Sequence, residues 1–170
     1  EVSSHNFREK IDLKYIDIGG GFPDKIQLKN LSSSLEDYFK LLSKLKKFDA
    51  IIVLEPGRCL VSDAFEIITK VNVLKEKQGR SYVILDVGIN ILSKITLSQY
   101  RFEKISSKSD EIKEKKDYVL GGPLLFGNDV LGKFNGNLIE GDLIRITNVG
   151  AYCYNLGWEI SYKKPKIFIE

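Results

Sequence analysis

Residues 15–23, Tyr15-Ile16-Asp17-Ile18-Gly19-Gly20-Gly21-Phe22-Pro23, constrain this chain more tightly than any other stretch. An apolar, strand-like run enters three consecutive glycines and then a proline, so the strand has to end there. A glycine loop carries no side-chain bulk and enters the positive-φ region freely. Its backbone N–H groups can therefore converge on an anion, most naturally a phosphate. Plain turns are glycine-rich too, and the loop gains weight only from its company. That company is Glu55-Pro56-Gly57-Arg58, Gly121-Gly122-Pro123 with Asp129 beyond it, and Gly150-Ala151-Tyr152.

In chain order, residues 14–18 read as a strand and the glycine loop follows. Ser33 with Glu36 fits a capping box at a helix start. Leu35, Phe39, Leu42 and Leu45 then make an apolar stripe at helical spacing. Lys44, Lys46 and Lys47 suit the end of that helix, where the macrodipole favours positive charge. Residues 50–54 are apolar throughout, as in a strand covered on both faces. They end in Glu55-Pro56-Gly57-Arg58, and a short helix over 59–64 is expected. Residues 1–64 thus read as a βαβα unit with both unusual loops at the C-terminal ends of parallel strands. Ligands bind at that edge in open α/β sheets and in barrels. Two strands close neither, so this half is expected to be part of something larger.

After Phe65 the texture changes. Residues 67–75 and 81–86 flank the turn Glu76-Lys77-Gln78-Gly79-Arg80, a hairpin signal. Further strands are expected at 100–105, 116–120, 143–149 and 166–169. Gly136-Asn137, Glu140-Gly141-Asp142 and the polar segment 106–114 supply turns. Residues 89–97 fit a short helix or an irregular strand. Residues 65–170 are therefore expected to form an antiparallel β-sandwich or barrel.

Composition narrows the function. Of the 170 residues, 43% are hydrophobic and 29% charged, which is ordinary for a globular protein. No apolar run reaches the roughly 18–20 residues that cross a bilayer. The opening Glu1-Val2-Ser3-Ser4 is polar and lacks an initiator Met, which suggests a start inside a longer or processed chain. The net charge is only +3, and the lysine clusters at 44–47, 113–116 and 163–166 lack interleaved aromatics, so nucleic acid is not the expected partner. Cys59 and Cys153 have no metal-ligand spacing, no metal cluster appears, and a reduced, cytoplasmic setting is the default. The single histidine, His5, lies in a polar terminus, which removes any Ser-His-Asp set.

The loops carry the candidate chemistry. Glu55 sits at a strand end on a rigid Pro-Gly turn. It is either a surface carboxylate paired with Arg58 or a carboxylate that faces a nitrogen base and stabilises its protonated form. Arg58 can instead clamp a phosphate or carboxylate in bidentate fashion. Tyr152 is either a half-buried strand tyrosine or a hydroxyl within reach of a phosphate. Asp129 either caps a helix-like turn over 128–131 or takes a catalytic role. Asp86, in Leu85-Asp86-Val87-Gly88, fits a residue that satisfies turn backbone groups.

Together these motifs resemble the C-terminal half of the fold-type III pyridoxal-phosphate decarboxylases, the group that includes diaminopimelate, ornithine and arginine decarboxylases. The segments are 17–23, 55–58, 85–88, Gly122-Pro123 to Asp129, and Gly150-Ala151-Tyr152, in the family's order over about residues 12–165. The resemblance implies the last strands of a (β/α)8 barrel over 1–64 and a C-terminal β-domain over 65–170. It implies pyridoxal 5'-phosphate as cofactor, with Gly19, Gly20 and Gly21 donating N–H groups to its phosphate. Gly57 and Arg58 would flank that phosphate and Tyr152 would complete its anchoring. Glu55 would pair with the pyridine nitrogen, and Asp129 would belong to the catalytic set. The segment from Gly122 to Asp129 comes from the partner subunit in this family, so a homodimer with shared active sites is implied. The reaction implied is loss of CO2 from an α-amino acid.

Two departures bear on substrate. Leu125 stands where the family usually has a Cys on the substrate and reprotonation side, with Phe126 next to it, and leucine cannot donate a proton. Cys153, beside Tyr152, is a thiol that could approach the same volume. Ser161-Tyr162-Lys163 replaces the family's aromatic-Asn-Gly. An atypical substrate is expected, an amino acid carried on a larger molecule for instance, or else loss of decarboxylation. The family's cofactor-bearing lysine lies upstream of the glycine loop, outside these residues. The alternatives are a non-catalytic homologue that pairs with or regulates a true decarboxylase, and a racemase on the same scaffold.

Overall fold

The computed structural model describes residues 13–29, 32–93, 99–106 and 115–169, without the side chains of 32–35 and 106. The chain divides into two compact units, residues 1–60 and 61–170.

In the first unit, β1 (Tyr15–Asp17) pairs with β2 (Ile51–Val53) in parallel, with Ile16 opposite Ile52. Between them lie α1 (Lys25–Leu28) and the longer α2 (Ser32–Leu45). Parallel neighbours need such a crossover. α3 begins at Arg58 and ends at Val61. The expected Ser33 cap falls on side chains outside the described residues. A capping box does exist one helix earlier. Asp24 Oδ1 accepts from the backbone N–H of Ile26 and Gln27, both at 2.9 Å, and Gln27 Oε1 accepts from the N–H of Asp24 at 3.2 Å. β2 is not covered on both faces: Ile51 and Leu54 are exposed. A lone pair of strands has too little surface around it for that.

The second unit is a six-stranded mixed sheet. β3 (Glu66–Lys77) and β4 (Arg80–Leu85) form the expected hairpin. Gln78 and Gly79 both have positive φ, 51° and 71°, which makes a two-residue turn of the type whose twist matches the flanking strands. β5 (Arg101–Ser106), β6 (Lys116–Gly121), β7 (Val130–Gly136) and β8 (Leu143–Thr147) complete the order β5-β8-β3-β4-β6-β7. β3 is long enough to serve two neighbours, β8 along Glu66–Lys70 and β4 along Val71–Lys77.

Of the antiparallel sandwich or barrel expected above, only the antiparallel part is corrected, because β4 and β6 run parallel. The connection between them, 86–115, carries β5 to the far side of the sheet and is long enough for a crossover. The two outermost strands also meet. The Phe102 ring of β5 lies so close over Gly132 of β7 that a Cβ there would stand 2.6 Å from Cε2. The sheet is thereby curled into a nearly closed barrel. Val71, Val83, Leu85, Leu120, Ile144 and Ile146 fill its interior, and each fully buried side chain of this size contributes about 1.5–3 kcal/mol.

Two further expectations change. Residues 166–169 alternate like a strand but pair with no ladder among the described residues, and Phe168 and Ile169 are exposed. β7, conversely, is not among the expected strands, since the sequence offers there only a helix-like turn over 128–131 and a turn at Gly136-Asn137. Residues 89–91 form a turn, and 94–98 lie outside the described residues.

Candidate active site

The loops that leave β1 and β2 are fastened to each other within the first unit. The N–H of Glu55 donates to the carbonyl of Gly19 at 2.9 Å. Gly20 packs on the Glu55 carbonyl, where a Cβ would come within 2.7 Å of the oxygen. Gly19 and Gly21 have φ of 70° and 83°, the region where side chains are strained. Each glycine of the three thus answers a different demand, of conformation or of space. A second fastening joins side chains, since Arg58 Nη1–H donates to Gln27 Oε1 at 3.4 Å.

The glycine loop is narrower as an anion cradle than expected. The N–H of Gly19 already donates to Asp17 Oδ1 at 2.8 Å, so Gly20 and Gly21 are the amides left for a ligand. Glu55 is exposed and Arg58 half-buried. The ion pair between them that sequence proximity allows is not among those formed by the described residues. Gly57 accepts from the N–H of Leu60 at 2.9 Å and so starts α3. Gly20, Gly21, Arg58 and Glu55 are therefore gathered on two interlocked loops at one end of a parallel strand pair. Two free amides, a guanidinium and an exposed carboxylate fit a ligand with a phosphate and a basic ring nitrogen.

In the second unit, Leu125, Phe126 and Asp129 share one loop. The Asp129 side chain is 5% exposed and is used up by the backbone. Oδ1 accepts from the N–H of Ile89 and Oδ2 from that of Leu124, each at 2.8 Å. The N–H of Asp129 donates to Phe126 and its carbonyl accepts from Gly122. Gly88 and Gly122 crowd the carboxylate so closely that a Cβ on either would lie 2.8 or 2.3 Å from Oδ2. Asp129 holds the loop; the helix-like turn considered for 128–131 gives way to the start of β7 at Val130. Leu125 at the tip is fully exposed, and Phe126 stands edge-on against Trp158, with ring centroids 6.0 Å apart. Trp158 is in turn pinned by Asn90, whose carbonyl accepts from its N–H at 3.1 Å and whose Nδ2 donates to its carbonyl at 3.3 Å.

Gly150 supports the turn that bears Tyr152. A Cβ there would lie 1.7 Å from the Val61 carbonyl oxygen, and its N–H donates to Ser62 at 2.8 Å. Tyr152 itself has φ of 57° and a half-exposed side chain. Cys153 next to it points the other way, into the core, where Tyr100 Oη lies 3.4 Å from Sγ. Burial pushes its thiol above the ordinary range, against the smaller opposing effect of the hydrogen bond to Tyr100. It cannot replace the missing loop cysteine at a solvent-facing site. Asp86 serves strand β3 rather than its own turn, accepting from the Thr69 hydroxyl and from the N–H of Lys70.

Asp24, Gln27, Asn90 and Trp158 escaped the sequence reading. The D-x-x-Q spacing of Asp24 and Gln27 was a readable capping signal; Asn90 and Trp158 act through tertiary contacts that leave no local pattern.

The family described as pyridoxal-dependent decarboxylase, C-terminal sheet domain, matches residues 23–150. The chain belongs to this family. Among its relatives, the diaminopimelate decarboxylase of Vibrio cholerae is 30% identical over 151 residues, covering 87% of this chain and 36% of the relative. That of Helicobacter pylori is 33% identical over 164 residues, covering 92% and 39%. The crystal structure of a Helicobacter pylori diaminopimelate decarboxylase complexed with L-lysine superimposes with a TM-score of 0.65 at 27% identity, over 88% of this chain and 37% of the other. The chain thus spans well under half the length of these decarboxylases. Among the described residues, no helix is long and apolar enough to cross a membrane.

Proposed function

We propose that the chain is the C-terminal portion of a pyridoxal-phosphate-dependent amino-acid decarboxylase. Residues 1–64 would contribute the last strands of a (β/α)8 barrel, and 65–170 the β-domain. The observation that carries this reading is the interlocking of the glycine loop with the Glu55–Arg58 turn in a chain of this family. In it, the free N–H groups of Gly20 and Gly21 and the guanidinium of Arg58 bind the cofactor phosphate, with Gly57 beside them. Tyr152 adds its hydroxyl to that anchoring. When bound, the cofactor supplies an electron sink for the bond that breaks at Cα. Glu55 faces the ring nitrogen and holds a proton there, which deepens the sink. Asp129 is a positioning residue that sets the loop bearing Leu125 and Phe126, and the substrate side chain meets that loop. The working form is a homodimer with shared active sites.

The test is binding and turnover by the purified protein that contains this chain. Pyridoxal 5'-phosphate should give a visible absorption band that borohydride removes, and CO2 should be released from an amino acid or a carrier-linked amino acid. Glu55→Ala should lower turnover by about 10²–10³-fold while the affinity for inorganic phosphate stays. Unchanged turnover would contradict the role of Glu55.

A second reading, a non-catalytic homologue that partners a true decarboxylase, draws on Leu125. That exposed tip carries no proton donor, and Cys153 is buried too deeply to supply one. Cofactor binding without CO2 release from any amino acid in the screen would favour it.

A further inference from the structure

The capping box of α1 has an unusual third member. In an ordinary box the N3 side chain reaches back to the N-cap amide and nothing more is asked of it. Here Gln27 Oε1 accepts both from the N–H of Asp24 at 3.2 Å and from Arg58 Nη1–H at 3.4 Å. The box itself is firmly seated, since the Asp24 side chain is buried and takes two backbone N–H groups at 2.9 Å. Asp24 follows the glycine loop by three residues, and Arg58 opens α3 three residues after Glu55. Gln27 therefore ties the end of the first loop to the cation of the second.

We infer that Gln27 is a positioning residue for Arg58, holding the guanidinium in the rotamer that receives the cofactor phosphate. This rests on the function proposed above. An arginine has five N–H donors on a flexible stem. Spending one donor on a fixed, neutral acceptor leaves four for a phosphate and removes rotamer freedom before the ligand arrives. A neutral amide is the suitable partner. A carboxylate at the same place would cap α1 equally well but would compete with phosphate for the positive charge.

Gln27→Glu in the purified full-length protein exploits that difference, because glutamate is also a standard capping-box residue and the fold should survive. Affinities for pyridoxal 5'-phosphate and for pyridoxal, which lacks the phosphate, are measured by equilibrium titration. The expected result is an affinity for pyridoxal 5'-phosphate lowered about tenfold and an affinity for pyridoxal that is unchanged. In an Arg58→Met background the same substitution should have no further effect, as a double-mutant cycle requires of residues that act together. An unchanged affinity, or an equal loss with Arg58 absent, would overturn the inference, the latter by showing a general charge effect. Failure of the unaltered protein to bind pyridoxal 5'-phosphate would overturn the proposed function itself, and this inference with it.

Discussion

Gly20 has its α-carbon against the carbonyl of Glu55, so close that a Cβ would be 2.7 Å from the oxygen. The two loops that end β1 and β2 are thus in backbone contact, and any side chain at Gly20 must push them apart. Gly20→Ala should reduce pyridoxal 5'-phosphate affinity at least tenfold. Gly21→Ala, where the obstacle is only a φ of 83°, should cost about 1–2 kcal/mol of stability with a smaller loss of affinity. Isothermal titration and urea denaturation separate the two effects.

Asp129→Ala removes acceptors from two backbone N–H groups at once, one buried and one partly buried. Each orphaned donor costs about 1–3 kcal/mol, so a total loss of about 2–6 kcal/mol is expected in urea unfolding. Trp158 is the only tryptophan and touches Phe126 on the same loop. Its emission should shift to the red in this variant before global unfolding begins.

Lys104 and Asp142 form an ion pair at 2.7 Å with the carboxylate wholly buried. Lys104 also donates to the carbonyl of Asn137 at 2.9 Å, which ties β5 to the end of β7. Lys104→Met should destabilise by about 3–5 kcal/mol, because it strands the buried charge. Adding Asp142→Leu should recover part of that loss, and thermal melts of both variants provide the check.

Cys153 has its thiol pushed above the ordinary value of 9.0 by burial. A group with a raised folded pKa binds its proton more tightly when folded. Its stabilising contribution is therefore complete below pH 9 and is lost as the pH climbs through the folded value. Titration with a thiol reagent at neutral pH should label Cys59, which is half-buried, well before Cys153. Cys153→Ser should flatten the alkaline decline of stability.

The loops were more legible in the sequence than the sheet. Gly19–Gly21 and Glu55-Pro56-Gly57-Arg58 announce themselves because turns are written in local residue chemistry. The hairpin at Gln78-Gly79 was visible for the same reason. The parallel pairing of β4 with β6 was not, since strand order depends on which segments cross the sheet. β7 was hidden because Gly132 meets a demand made by Phe102, thirty residues earlier in the chain. The Gly19 amide was misjudged through Asp17, whose carboxylate reaches forward two residues to take it. For Asp129 the sequence offers a cap or a catalytic role, and its two amide partners, Ile89 and Leu124, leave no local pattern by which it could be read as the fastener of its loop.

β3 belongs to both halves of the sheet, giving its first five residues to β8 and the rest to β4. Neither half can come apart while the other keeps that strand, so the unit has no internal seam. Amide protons along β3 should exchange with solvent only through global opening. Those of the outer strand β5 escape earlier. The second unit therefore behaves as a single cooperative block, on which loops can vary without loosening one another.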